Sequence, residues 1–186
     1  MRIGVLSIQG SVAEHLAALS KCGVEAVPVK DADTLKKVQG LILPGGESTT
    51  IGKLLKRFGL GDAIKKAKIP LYGTCAGAIL MAQEILNDVP EYSLDMMDIT
   101  ICRNAYGAQQ ESFVIDLEVP IFGKKKVPAY FIRAPKIVRV GKGCEVLAKL
   151  KKDPVLVRQG NLLVSTFHPE LTEDLRVHRY FVEMCR

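Results

Sequence analysis

A cysteine at position 75 stands in Gly73-Thr-Cys-Ala-Gly77, directly after a short apolar run and where a helix is expected to start. That arrangement has the form of a nucleophile elbow, G-x-Nuc-x-G, in which a strand turns sharply into a helix and presents a reactive side chain. Glycines two residues to either side let neighbouring backbone pass where a Cβ would clash. The N–H of Ala76 is then placed to donate to a developing oxyanion. A packed turn cysteine fits the same five residues, so the reading depends on partners elsewhere in the chain.

A thiol nucleophile needs a base, and the chain has three histidines. His15, next to Glu14 on the first helical pattern, reads as a surface residue, and His178, between Val177 and Arg179, as a structural one. His168 lies in Ser165-Thr-Phe-His-Pro-Glu170, at the end of an apolar strand. Pro169 drives His168 toward extended geometry. In an extended His-Pro-Glu segment residues 168 and 170 point to the same side, so Glu170 can orient one imidazole nitrogen while the other faces Cys75. A third constellation, Pro44-Gly-Gly-Glu-Ser-Thr49, also sits between a strand and a helix. It lacks the Lys-Ser/Thr of a P-loop and Glu47 would repel phosphate, so an anion-binding turn for an oxyanion fits better.

These turns need strands to hold them at one edge. Ile3–Ile8, Ala26–Val29, Gly40–Pro44 and Leu71–Tyr72 read as short strands, with Pro28 marking an edge. Between them come a helix with capping-box spacing at Ser11–Glu14, a brief one at Asp33–Val38, and one from Ser48 with Ile51, Leu54, Leu55 and Phe58 on its apolar face. The helix after Cys75 is expected to carry Ile79, Leu80, Met81, Ile85 and Leu86. Strands alternating with helices predict an α/β fold with a mostly parallel sheet, ligands gathering at the strands' carboxyl ends. The second half is strand-rich: Asp98–Asn104, Ser112–Glu118, Ala129–Ile132 and Val155–Phe167, the last broken by a turn at Gln159-Gly160-Asn161. Thr172 is expected to cap a final helix bearing Val177, Tyr180, Phe181 and Met184. Nothing resembles a linker or a repeat, which predicts one domain over residues 1–186: a flavodoxin-like three-layer sandwich with a mixed, partly antiparallel C-terminal portion.

Composition narrows the function. No apolar run spans a bilayer and no signal-peptide core follows Met1, so a cytoplasmic protein with no membrane partner is expected. Five scattered cysteines without a C-x-x-C pair argue against a disulfide framework and a thiolate zinc site. The net charge of +6 comes from short lysine groups without interleaved aromatics, which reads as solvated surface and not as a nucleic-acid site.

Taken in chain order, Gly-Gly, then the cysteine elbow, then His-Pro-Glu, the sequence resembles the class I, or triad, glutamine amidotransferases. PGGEST (44–49), GTCAGAI (73–79), RNAYG (103–107), FIRAP (131–135), FHPELTED (167–174) and the N-terminal GVLSIQGSVAEH (4–15) resemble one branch: the glutaminase subunits of pyridoxal 5′-phosphate synthase. The resemblance covers essentially the whole chain. It implies hydrolysis of L-glutamine to glutamate and ammonia through a glutamyl thioester on Cys75, with His168 shuttling the proton and Glu170 holding the imidazole. It implies that the N–H groups of Gly46 and Ala76 form the oxyanion hole. Gly46, Glu47, Ser48, Arg103, Ile132 and Arg133 would line the glutamine site, an arginine suiting the substrate's α-carboxylate. It further implies a synthase (lyase) subunit as partner in a large hetero-oligomer, with Gln9 and Gly10 at that interface, and no metal or cofactor on the glutaminase.

Two related chemistries compete. The glutaminase of imidazole glycerol phosphate synthase has similar size and mechanism, but the GGEST and GTCAG wording favours the pyridoxal branch. Cysteine hydrolases of the DJ-1/PfpI type usually place a histidine directly after the cysteine, where this chain has Ala76. A scaffold without activity would be expected to have lost a triad position, and none is lost.

Overall fold

The first half of the chain lays down four short apolar strands, and apolar residues at consecutive positions in a strand must be buried on both faces. A computed structural model, which describes residues 1–86, 92–103 and 112–186, shows how. Strands β1 (Arg2–Leu6), β2 (Glu25–Val29), β3 (Gly40–Leu43) and β4 (Leu71–Thr74) run parallel. They are joined through α1 (Val12–Lys21), α2 (Ala32–Leu35), α3 (Ser48–Arg57) and α4 (Leu60–Ala67). The chain then forms α5 (Ala76–Met81), β5 (Ala82–Leu86), β6 (Met97–Cys102), β7 (Ser112–Leu117), β8 (Val127–Ile132) and β9 (Lys136–Val140). It ends with β10 (Glu145–Leu150), β11 (Asp153–Gln159), β12 (Leu162–Ser165) and α6 (Arg176–Met184).

The main sheet has the order β10-β11-β12-β4-β3-β1-β2. β12 joins the parallel set beside β4, while β11 and β10 extend the sheet antiparallel. Leu41 and Leu43 enter one core with Ile51, Leu55, Ile64 and Leu80 from α3, α4 and α5. Ile42 and Tyr72 face the opposite core with Leu19 of α1 and Val177 and Phe181 of α6. Helices therefore cover both faces, in three layers. β5, β6 and β9 form a smaller mixed sheet, and β7 pairs antiparallel with β8.

Several expectations change in detail. α5 is six residues long, and Ile85 and Leu86 belong to β5, because the chain turns extended at Ala82 (φ −64°, ψ 144°) to pair with β6. Phe58 lies past the end of α3 and is 56% exposed, so it is not part of the helix's apolar face. Helix α4 has no counterpart in the sequence reading: Gly59, at φ +66°, breaks it from α3, and two of the four residues on its apolar face, Ala63 and Ala67 beside Leu60 and Ile64, are alanines. β9 and β10 were likewise not anticipated, since Lys, Arg and Glu interrupt their apolar alternation. The final helix starts at Arg176, whose N–H donates to Asp174 Oδ1. Thr172 Oγ1 instead accepts from the Asp174 N–H one turn earlier. The turn at Gly160 (φ +58°) and the edge position of β2 are as expected. Within the RNAYG segment, residues 104–107 lie outside the described residues, as does Asn104 at the end of the expected fifth strand.

Candidate active site

β4 ends at Thr74, and the next residue reverses the chain into α5. Cys75 takes φ +48°, ψ −101°, a conformation costing a non-glycine residue on the order of 1–3 kcal/mol, and it holds because the surroundings fix it. Its N–H donates to the Ser165 carbonyl of β12 at 2.8 Å, and its own carbonyl accepts from Ile79 N–H at 3.2 Å. The glycines make the space. A Cβ on Gly73 would lie 2.6 Å from the carbonyl of Gly77, and one on Gly77 would lie 2.0 Å from the carbonyl oxygen of Leu43. Cys75 is 8% exposed, and its sulfur sits 4.0 Å from the Ile132 carbonyl oxygen.

β12 neighbours β4, so the segment leaving it passes the thiol. His168 is anchored by its N–H to the Tyr130 carbonyl at 2.8 Å. Its Nδ1 lies 2.7 Å from Glu170 Oε1. The expected pair exists, but the route to it differs: Pro169–Leu171 form a 3₁₀ turn rather than an extended strand. Pro169 opens that turn with its preset φ, and the tight coil swings Glu170 back under the ring. Burial by itself would lower the His168 pKa, but hydrogen bonds to Cys75 and Glu170, together with their charges, outweigh it and raise it to about 10. Burial would raise the Glu170 pKa, yet His15, the bond and charge of His168, and the Ser11 hydroxyl bring it down to about 2. The two form a buried, charge-separated pair.

β3 contributes the third edge. Gly45 N–H donates to Thr74 Oγ1 at 2.9 Å, and Gly45 O accepts from Ser11 N–H at 3.0 Å. Glu47 N–H donates to Gln9 Oε1 at 2.9 Å, and a Cβ on Gly46 would come within 2.4 Å of that same oxygen. Gln9 and Gly10 thus pack on the glycine turn itself. The Glu47 side chain caps α3, accepting from Thr49 N–H (3.2 Å) and Thr50 N–H (2.6 Å). Its pKa is lowered, chiefly by the Thr50 hydroxyl. Arg103 reaches Thr49 Oγ1 at 3.0 Å and Glu47 at 3.5 Å.

The three edges enclose a cavity of about 390 Å³. It is lined by Gly46, Glu47, Ser48, Cys75, Ala76, Arg103, Ile132, Arg133 and His168, all named from the sequence, together with Ile79. Ile79 reads from the sequence only as a core position of α5; its place one helical turn past Cys75 is the signal that marks it. Glu170 lies behind His168, and Gln9 and Gly10 lie behind the glycine turn, outside the lining. Arg133 holds a positive φ of +42°, a second strained residue beside the thiol. His15 is corrected outright: it is fully buried rather than on the surface, with Nε2 3.5 Å from Glu170 Oε2. His178 is buried beside it.

A profile of the SNO glutamine amidotransferase family matches residues 5–186. The chain belongs to that family. It is 56% identical to "Pyridoxal 5′-phosphate synthase subunit PdxT" of Pseudothermotoga lettingae, covering 100% of this chain and 96% of the relative. It is 52% identical to the protein of the same name from Thermotoga petrophila, covering 100% of both. A solved "glutamine amidotransferase" superposes with a TM-score of 0.92 at 48% identity, covering 98% of each chain. Among the described residues, no helix of this amidotransferase is long and apolar enough to cross a membrane.

Proposed function

We propose that residues 1–186 act as one glutaminase domain, the subunit of a pyridoxal 5′-phosphate synthase that hydrolyses L-glutamine to L-glutamate and ammonia. The observation that carries this reading is the convergence in one cavity of a strained cysteine and a histidine charge-paired with a buried glutamate. The Cys75 sulfur, its proton passed to His168, attacks the side-chain amide carbon of glutamine. The carbonyl electrons move to oxygen, which the N–H groups of Gly46 and Ala76 receive. As the tetrahedral intermediate collapses, the C–N bond breaks and the His168 imidazolium protonates the leaving nitrogen, releasing ammonia. Water then adds to the glutamyl thioester, His168 takes its proton, and glutamate leaves as the proton returns to sulfur. Glu170 keeps its charge throughout and orients His168. Arg103 and Arg133, with Glu47, Ser48 and Ile132, hold the substrate's amino-acid end, the guanidinium groups facing its carboxylate.

Ammonia passes to a synthase subunit docked near Gln9 and Gly10. Their packing on the Gly45–Gly46 turn supports this docking place, because a partner there would press on the turn that carries the Gly46 N–H. A cytoplasmic setting keeps the Cys75 thiol reduced. The reading is tested by measuring glutamate and ammonia formation with and without purified synthase subunit. Cys75→Ala and His168→Ala should each lower kcat on the order of 10³-fold or more, because triad members act as a unit. Cys75→Ala that still releases ammonia at the parent rate overturns it.

A further inference from the structure

Resting on the glutaminase reading above, we propose that His15 is a positioning residue: its Nε2–H holds the outer oxygen of Glu170 and, through Thr74, the glycine turn of the oxyanion site. The Glu170 carboxylate has two buried oxygens. Oε1 accepts from His168 Nδ1 and from Ser11 Oγ, each at 2.7 Å. Oε2 has no hydrogen-bond partner among the described residues, and the polar atom facing it is His15 Nε2, at 3.5 Å. Ser11 and His15 are one helical turn apart, so the start of α1 offers one group to each oxygen. Ser11 in fact makes no side-chain cap to α1. The capping-box spacing read from the sequence serves the carboxylate instead.

The position of the His15 proton follows from its neighbours. His15 Nδ1 lies 3.0 Å from His178 Nε2, and a single proton joins them. If His15 carried it, the bare Nε2 would face a carboxylate oxygen, and His178 would hold its own proton on Nδ1, where nothing among the described residues accepts it. With His178 Nε2–H donating to His15 Nδ1, the His15 proton sits on Nε2. It then donates to Thr74 Oγ1 at 3.1 Å and turns its positive end toward Glu170 Oε2. Thr74 Oγ1 also accepts the Gly45 N–H at 2.9 Å. One ring nitrogen thus joins the orienting carboxylate of the triad to the turn expected to bind the oxyanion. Burial lowers the pKa of both histidines, so they remain neutral donors beside the Glu170 charge.

The test uses three variants of the full chain, assayed for glutaminase with the synthase subunit present. In His15→Gln the amide nitrogen reaches the place of Nε2. In His15→Asn it reaches only that of Nδ1, and His15→Leu removes every polar atom. His15→Gln is expected to keep kcat within about threefold. His15→Asn and His15→Leu should lose roughly 10- to 100-fold in kcat, the scale of one lost buried hydrogen bond. KM for glutamine should stay within about twofold, because the contacts being disturbed matter to the oxyanion and proton transfer rather than to substrate binding. Circular dichroism confirms folding, and His15→Asn carries the comparison if the leucine variant does not fold. The proposal is overturned if folded His15→Asn matches the parent in kcat, or if His15→Gln is as impaired as His15→Asn. An inactive parent enzyme would instead refute the glutaminase reading.

Discussion

The place of the His168 ring depends on an atom that is absent. A Cβ at Gly45 would stand 2.5 Å from His168 Cε1, 3.0 Å from its Nδ1 and 3.5 Å from Cys75 Cβ. Comfortable carbon–carbon contact lies at about 3.5–4.0 Å, so Gly45→Ala drives the imidazole back by about 1 Å. The backbone is no obstacle, since Gly45 is not among the residues at positive φ. The ring has little room to retreat: His168 is buried, and its ring is bonded at 2.7 Å to a buried carboxylate. A 1 Å misplacement of a reacting group costs on the order of 100-fold, equivalent to about 2.7 kcal/mol of barrier. Steady-state glutaminase assays with the synthase partner should therefore show kcat down about 100-fold and KM for glutamine little changed, because Gly45 does not line the cavity. Glu170→Gln combined with Gly45→Ala should lose less than the two effects multiplied, since both act on the same ring. A folded Gly45→Ala enzyme with kcat within about threefold of the parent would refute the claim that His168 must sit where the structure puts it.

Two further outcomes follow from the electrostatics. The Glu170 pKa is about 2 in the folded chain against 4.5 for the free group, so its charge contributes stability present above about pH 4.5 and lost as pH falls through 2. The melting-temperature gap between parent and Glu170→Gln should accordingly be full near pH 5 and close toward pH 2; a gap that does not narrow contradicts the buried ion pair. Arg103, just past the end of β6, lines the cavity and lies 3.5 Å from Glu47. Arg103→Gln should raise KM for glutamine roughly 10- to 100-fold, the scale of a lost charged hydrogen bond, with kcat nearly kept. A fall in kcat at constant KM would place Arg103 in the chemistry instead.

What the sequence discloses depends on how local the cause is. Gly73, Cys75 and Gly77 are readable because their constraint is satisfied within five residues and by the strands on either side. His168 and Glu170 were paired correctly for a reason that does not hold: a 3₁₀ turn, not an extended segment, closes the distance. His15 was misread because its burial is decided far away, by Thr74 on β4 and His178 on α6, 59 and 163 residues on. Beside Glu14 on a helix nothing local separates a buried histidine from an exposed one. The truncation of α5 has a similar origin, since Ile85 and Leu86 leave a helical pattern to pair with β6, a partner strand that local spacing cannot announce.

The same non-local contacts explain how a strained cysteine is kept in place. Cys75 cannot relax from φ +48° without losing its bond to Ser165 on β12 or moving Gly77 against Leu43 on β3, so both flanking strands resist it. The residue before it, Thr74, is bonded to Gly45 and to His15. Cys75, the glycine turn and His15 therefore meet at Thr74, at the end of β4. Such coupling has a consequence for substitutions around Thr74. Thr74→Val keeps the shape but removes the oxygen that accepts from Gly45 and His15, so it should disturb both arms at once. Its effect on kcat should therefore exceed that of His15→Asn, which keeps the Thr74–Gly45 bond.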